Sequence, residues 1–76
     1  MRQLIDIARE TVKEFHVTVK ELRSSAKTRR VVFAKRRLIE KGVLEGYTYA
    51  EIGTFLNYKD HTTVVYFMRK IRRAVG

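Results

Sequence analysis

The chain has no cysteine, no proline and no tryptophan among its 76 residues, and only four glycines. Without cysteine there is no disulfide framework and no thiolate metal site, so the fold must stand on apolar packing. The glycines, at 42, 46, 53 and 76, never approach P-loop or dinucleotide-binding spacings, which excludes a glycine-rich phosphate cradle. The longest apolar run, Val64–Met68, is five residues, far short of a membrane span. No basic-apolar-small pattern at the start suggests a secretory signal. The length allows one domain with one small core, burying about 60% of the unfolded chain's surface, and leaves no room for a cleft between two lobes. Acidic residues are also scarce: 8 Asp and Glu stand against 17 Lys and Arg, for a net charge of +9. An excess of that size implies an anionic partner.

The charge is segregated. Residues 1–22 carry four basic and four acidic groups, whereas residues 23–39 carry seven basic groups and no acid: Arg23, Lys27, Arg29, Arg30, Lys35, Arg36 and Arg37. Four more cations, Arg69, Lys70, Arg72 and Arg73, crowd the end. Solubility requires neither segregation nor the local loss of acids, so a polyanion that relieves the self-repulsion is the better explanation.

Helical periodicity dominates. Leu4, Ala8, Val12 and Phe15 form one face of a first helix ending near Phe15-His16. On its other faces Asp6, Glu10 and Glu14 are placed to pair with Arg9 and Lys13. Thr18 to Glu21 reads as a capping box opening a short helical turn through Leu22. Ser24-Ser25 is the expected break and N-cap before a long helix over 27–41, with Val31, Ala34, Leu38, Val32 and Ile39 on adjoining inner stripes. Gly42, Gly46 and Tyr47 make the next connection. The Phe and Met residues stand at core spacing, Tyr58 is expected to pack in the turn, and His16 to lie exposed at a helix end.

The last third is the most informative. Thr48-Tyr-Ala-Glu51 is a second capping box, opening a helix with Ile52, Phe55 and Leu56 inside. Asn57 tolerates the left-handed conformation that stops it. Asp60 can cap a final helix in which Val64, Met68, Ile71 and Val75 recur. Gly53 inside the first of these helices costs about 1 kcal/mol against Ala, a cost that close approach of the second would explain. Helix, tight turn, helix over about 48–73 is the arrangement that sets a second helix into the DNA major groove by its N-terminal residues. Those residues are Lys59, Asp60, His61, Thr62 and Thr63. Capping explains Asp60 but not the histidine and the β-branched pair. Base edges do: Asp accepts from cytosine, His donates to a purine, and Thr offers a hydroxyl or a methyl.

The run Asp60-His61-Thr62-Thr63-Val64, followed by Arg69-Lys70-Ile71, resembles the C-terminal DNA-binding domain (domain IV) of the bacterial replication initiator DnaA. Thr48-Tyr-Ala-Glu-Ile-Gly53 is similar to that family's first helix-turn-helix segment, Phe15–Leu22 to its helix-end and short-helix segment, and Ser25–Arg37 to its basic loop and long helix. The resemblance implies base contacts from Asp60, His61 and Thr62, a phosphate contact from Thr63, and an apolar contact near a thymine methyl from Ala50, where the family usually has proline. It implies that Lys27 enters the minor groove, and that Arg29 and Lys35 meet the backbone. Arg30, Lys59 and Lys70 join the candidate backbone contacts. Lys27 and Lys59 stand where the family has arginine, and neither reproduces a planar guanidinium fork. Arg37, Glu40, Lys41 and Gly42 replace a more apolar, Ala-rich stretch, and the loop that follows is one residue shorter.

Together these readings describe a single all-α domain over 1–76, a small helical bundle containing a helix-turn-helix. It is expected to bind double-stranded DNA sequence-specifically as a monomer, in the cytoplasm, with no cofactor, metal, small-molecule ligand, membrane contact or enzymatic activity. His16 and His61 lie in separate elements, which disfavours a metal site, and nucleotide hydrolysis in the DnaA family belongs to a separate domain. Rival readings are a DnaA-like module of a transposase or of a phage or plasmid regulator, a basic protein–protein interaction domain, and an RNA-binding bundle.

Overall fold

The computed structural model describes residues 2–24, 28–58 and 62–75, with side chains as far as Lys70. Five helices follow one another: α1 (Leu4–Phe15), α2 (Val19–Leu22), α3 (Arg29–Leu44), α4 (Tyr49–Phe55) and α5 (Thr62–Val75). No strand occurs among the described residues. The fold is all-α.

Local chemistry sets the corners. His16 closes α1 in the left-handed conformation (φ 56°, ψ 44°), and its N–H donates to the Val12 carbonyl. Thr18 then opens α2 with a complete capping box: the Glu21 N–H donates to Thr18 Oγ1 at 3.1 Å, and the Thr18 N–H to Glu21 Oε1 at 2.9 Å. Thr48 and Glu51 repeat the device at the start of α4, at 3.1 and 3.0 Å. Each box satisfies two amides that a helix start leaves without partners. Asn57 ends the α4 region at φ 65°.

α3 is the spine of the packing. α1 pairs with α2, α4 pairs with α5, and α3 touches all four. Its buried positions Ala34, Leu38 and Ile39 join Ile7, Ala8, Leu22, Ile52, Leu56, Val64 and Met68 in one core cluster, and Val31 is buried as well. Fully burying each Leu or Ile there contributes about 1.5–3 kcal/mol relative to exposure.

Four expectations change. The centre of the α1 stripe lies at Ile7, Ala8 and Thr11, while Leu4, Val12 and Phe15 are half-buried around it. A threonine fits there because its hydroxyl donates to the Ile7 carbonyl at 2.8 Å, leaving only its methyl to pack. Two of the three acids of α1 look off their own helix: Glu10 pairs with Arg2, and Glu14 reaches Arg37 at 3.6 Å and Lys41 at 3.5 Å on α3. The long helix starts at Arg29 with Thr28 as its N-cap, not at residue 27 after a cap at Ser24-Ser25. The Ser24 hydroxyl bonds backward to the Glu21 carbonyl, and Ser25 lies outside the described residues. Finally, α3 runs through Gly42 to Leu44, and the turn belongs to Gly46 at φ 100°. The expected cap at Asp60 also lies outside the described residues, as do the side chains of Ile71 and Val75.

Gly42 has a packing task instead. A Cβ there would lie 3.0 Å from Ile52 Cδ1 and 3.4 Å from Leu4 Cδ2, so its lack of a side chain lets α3 meet residues of α1 and α4. Gly42→Leu should overpack this junction and cost about 1–3 kcal/mol. Thermal unfolding should register the loss as a melting temperature lower by about 4–8 °C per kcal/mol. A wild-type melting temperature would mean that Leu4 and Ile52 give way freely.

Candidate nucleic-acid interface

The helix-turn-helix is held from below by the core. Ile52 and Leu56 on one side of the turn and Val64 on the other are buried in the same core. The Tyr58 N–H donates to the Gly53 carbonyl at 2.9 Å, which folds the turn back on α4. Tyr58 is half-buried, and loss of water around its phenol raises its pKa above the ordinary value. Packing in the turn is therefore its role, as the sequence suggests.

At the start of α5, Thr62 and Thr63 are exposed while the next residue, Val64, is fully buried. The helix thus turns its first two residues outward and is anchored from its third, Val64. Ala50, at the start of α4, is exposed and lies in a shallow groove with Leu4, Thr54 and Phe55. Lys27, Lys59, Asp60 and His61 lie outside the described residues.

The basic segment divides into distinct environments. Arg29 and Arg30 occupy the first turn of α3 and are exposed, with no acid beside them in that turn. Cations at the positive end of a helix dipole oppose it, and an external anion would reverse that penalty. Arg30 lines a groove with His16 and Glu21, apart from the cleft that holds Thr63. Arg37 pairs with Glu14 and, at 3.4 Å, with Glu40. Arg36, which sequence reasoning had only counted, lies over the exposed ring of Phe33 at 5.8 Å.

Lys35 departs from its expected place. It is 5% exposed, with Nζ donating to the Ser24 carbonyl at 2.8 Å and standing 5.7 Å from the Tyr58 ring centroid. The cause is helical phase: Lys35 shares a face with Val31, Ala34 and Leu38, at steps of four, one and three, and that face packs inward. The resemblance implies a DNA-backbone contact for it, whereas in the structure its amine is engaged by the Ser24 carbonyl.

A cleft of about 660 Å³ between α3, the turn and α5 gathers Arg23, Lys35, Tyr58, Thr63, Tyr66 and Lys70. Lys70 lies over the exposed Tyr66 ring at 4.7 Å, and Arg69 beside it is exposed. Thr63 and Lys70, both candidate phosphate contacts, therefore share one surface. Among the described residues no three His, Asp or Glu side chains are grouped to hold a metal, and no helix is long and apolar enough to cross a membrane.

An outward-facing α5 start, an α4 capped by Thr48 and a basic flank make up a helix-turn-helix of the class that binds double-stranded DNA. Residues 5–71 match the family described as bacterial DnaA protein helix-turn-helix, and the chain belongs to it. That family is a DNA-binding domain of replication initiation, not a catalytic one. No curated protein and no solved structure matches the chain.

The α4 cap makes the helix-turn-helix acid-sensitive. The Thr48 backbone N–H, and then its hydroxyl, bond the Glu51 carboxylate and hold its pKa below the ordinary value. A carboxyl with a depressed folded-state pKa stabilises the fold above its unfolded-state value, and that stability is lost as pH falls through the folded-state one. Glu51→Gln keeps an acceptor for the Thr48 N–H but cannot titrate. Its melting temperature should fall less than that of wild type between about pH 5 and pH 3. Parallel curves would remove Glu51 from the acid response.

Proposed function

We propose that this domain recognises a DnaA-box site in duplex DNA, with the start of α5 in the major groove and the basic loop before α3 in the adjacent minor groove. In this reading Asp60, His61 and Thr62 contact base edges, Ala50 touches a thymine methyl, and Lys27 enters the minor groove. Arg29, Arg30, Lys59, Thr63 and Lys70 meet phosphates. The observation that carries the reading is the step from exposed Thr62-Thr63 to buried Val64, which turns the start of α5 outward on a helix fixed by the core. Phosphate contacts would supply most of the affinity and base contacts the discrimination. The domain would work at the nucleoid, one copy per site.

His61→Ala should cost about 1–3 kcal/mol on a DnaA-box duplex and little on a scrambled one, compared by fluorescence anisotropy. Equal losses on both would argue against base readout. Arg29→Ala should weaken both duplexes alike and lower the slope of log K against log[salt] by about 0.9. An unchanged slope would take Arg29 out of the phosphate set.

A further inference from the structure

Two cations of the basic segment are engaged at one seam. Arg23 ends α2, and its Nε donates to the carbonyl of Phe55, the last residue of α4, at 2.8 Å. Its guanidinium also lies 5.4 Å from the Phe55 ring centroid. Next to it, the Ser24 carbonyl accepts from Lys35 Nζ at 2.8 Å, and the same ammonium stands over Tyr58. Both ties therefore join the same two stems. One, Arg23-Ser24, leads in sequence toward Lys27; the other, Phe55–Tyr58, leads toward Asp60 and His61.

A charge as buried as that of Lys35 is costly unless partnered, and here the Ser24 carbonyl and the Tyr58 ring partner it within the fold. What such a bond does well is fix geometry. Its carbonyl acceptor lies eleven residues back in the chain, and the companion tie from Arg23 spans thirty-two. Holding the stems together in advance removes part of the ordering cost that binding would otherwise carry.

We propose that Arg23 and Lys35 are positioning residues that clamp the stem of the basic loop to the helix-turn-helix, fixing the register between the two DNA-reaching segments. They set discrimination between sites and add little to the phosphate count. The inference rests on the two-groove reading given above, so its test separates the two.

The intact domain, Lys35→Met and Arg23→Gln are compared on three duplexes: a DnaA box, a scrambled sequence, and the box with one base pair inserted between its minor-groove and major-groove halves. Wild type should bind the intact box best. Lys35→Met should melt near wild type, since the thioether refills the space of the stem. It should lose about tenfold on the box, the scale of one displaced base contact, and little on the scrambled duplex. Its salt slope should stay unchanged, and its preference for the intact over the inserted box should narrow, a change that mere loss of stability does not produce. Arg23→Gln cuts the other tie at an exposed residue and should repeat the pattern, which keeps the test open if Lys35→Met fails to fold. Equal losses on all three duplexes with a slope lower by about 0.9 would make Lys35 an ordinary phosphate contact and overturn the clamp. So would unchanged affinity for the box in both variants. A wild type that binds the inserted and intact boxes equally overturns the two-groove reading itself, before any variant is made.

Discussion

All four other helices lean on one element, and that element is also the most basic in the chain. α3 must present apolar side chains to both helix pairs while carrying the cations of residues 29–37. A helix 16 residues long can do this because its faces separate the tasks: Val31, Ala34, Leu38 and Ile39 point inward, while Arg29, Arg30 and Arg37 point out. Gly42 lets it approach Ile52 and Leu4 closely at its far end. The DNA-facing geometry follows from this packing. α5 is positioned by Val64 and Met68 against the shared core, so the outward aim of Thr62 and Thr63 is decided by residues that never meet DNA.

What could be read in the sequence was chiefly what is decided locally. Both capping boxes, the left-handed stop at Asn57 and the end of α1 depend on residues a few positions apart, and each stands as the sequence suggests. The heptad-like apolar spacing located α3 to α5, and the helix-turn-helix follows from that pattern. Thr11 was hidden because a hydroxyl reads as polar until its partner, the carbonyl one turn back, is known. Gly42 was hidden for the opposite reason: a glycine near a helix end reads equally as terminator or as contact, and only Ile52 distinguishes them.

The cations were the hardest to read. Seven in one segment look like seven phosphate contacts, yet side-chain charge carries no label of its partner. Arg23 finds a carbonyl thirty-two residues away, Lys35 turns to Ser24 and Tyr58, and Arg37 is shared by two glutamates. The resemblance to the family could rank positions but could not show that Lys35 would be drawn inward by its place on the α3 stripe. His61 is proposed as a base contact for a different reason, since its residue type answers to a base edge where capping explains only Asp60.

The bridge from Glu14 to Arg37 and Lys41 has a consequence beyond packing. With Glu40 it balances Arg37 and Lys41 toward the later part of α3, while Arg29 and Arg30 have no acid in their own turn. Along α3, charge is therefore balanced by acids toward one end and left in excess in the first turn. Within about one screening length of a duplex, roughly 8 Å in physiological salt, the field of the phosphates pulls on one end more than the other. An uneven charge in such a field would feel a torque, which would favour encounters made through the Arg29–Arg30 side.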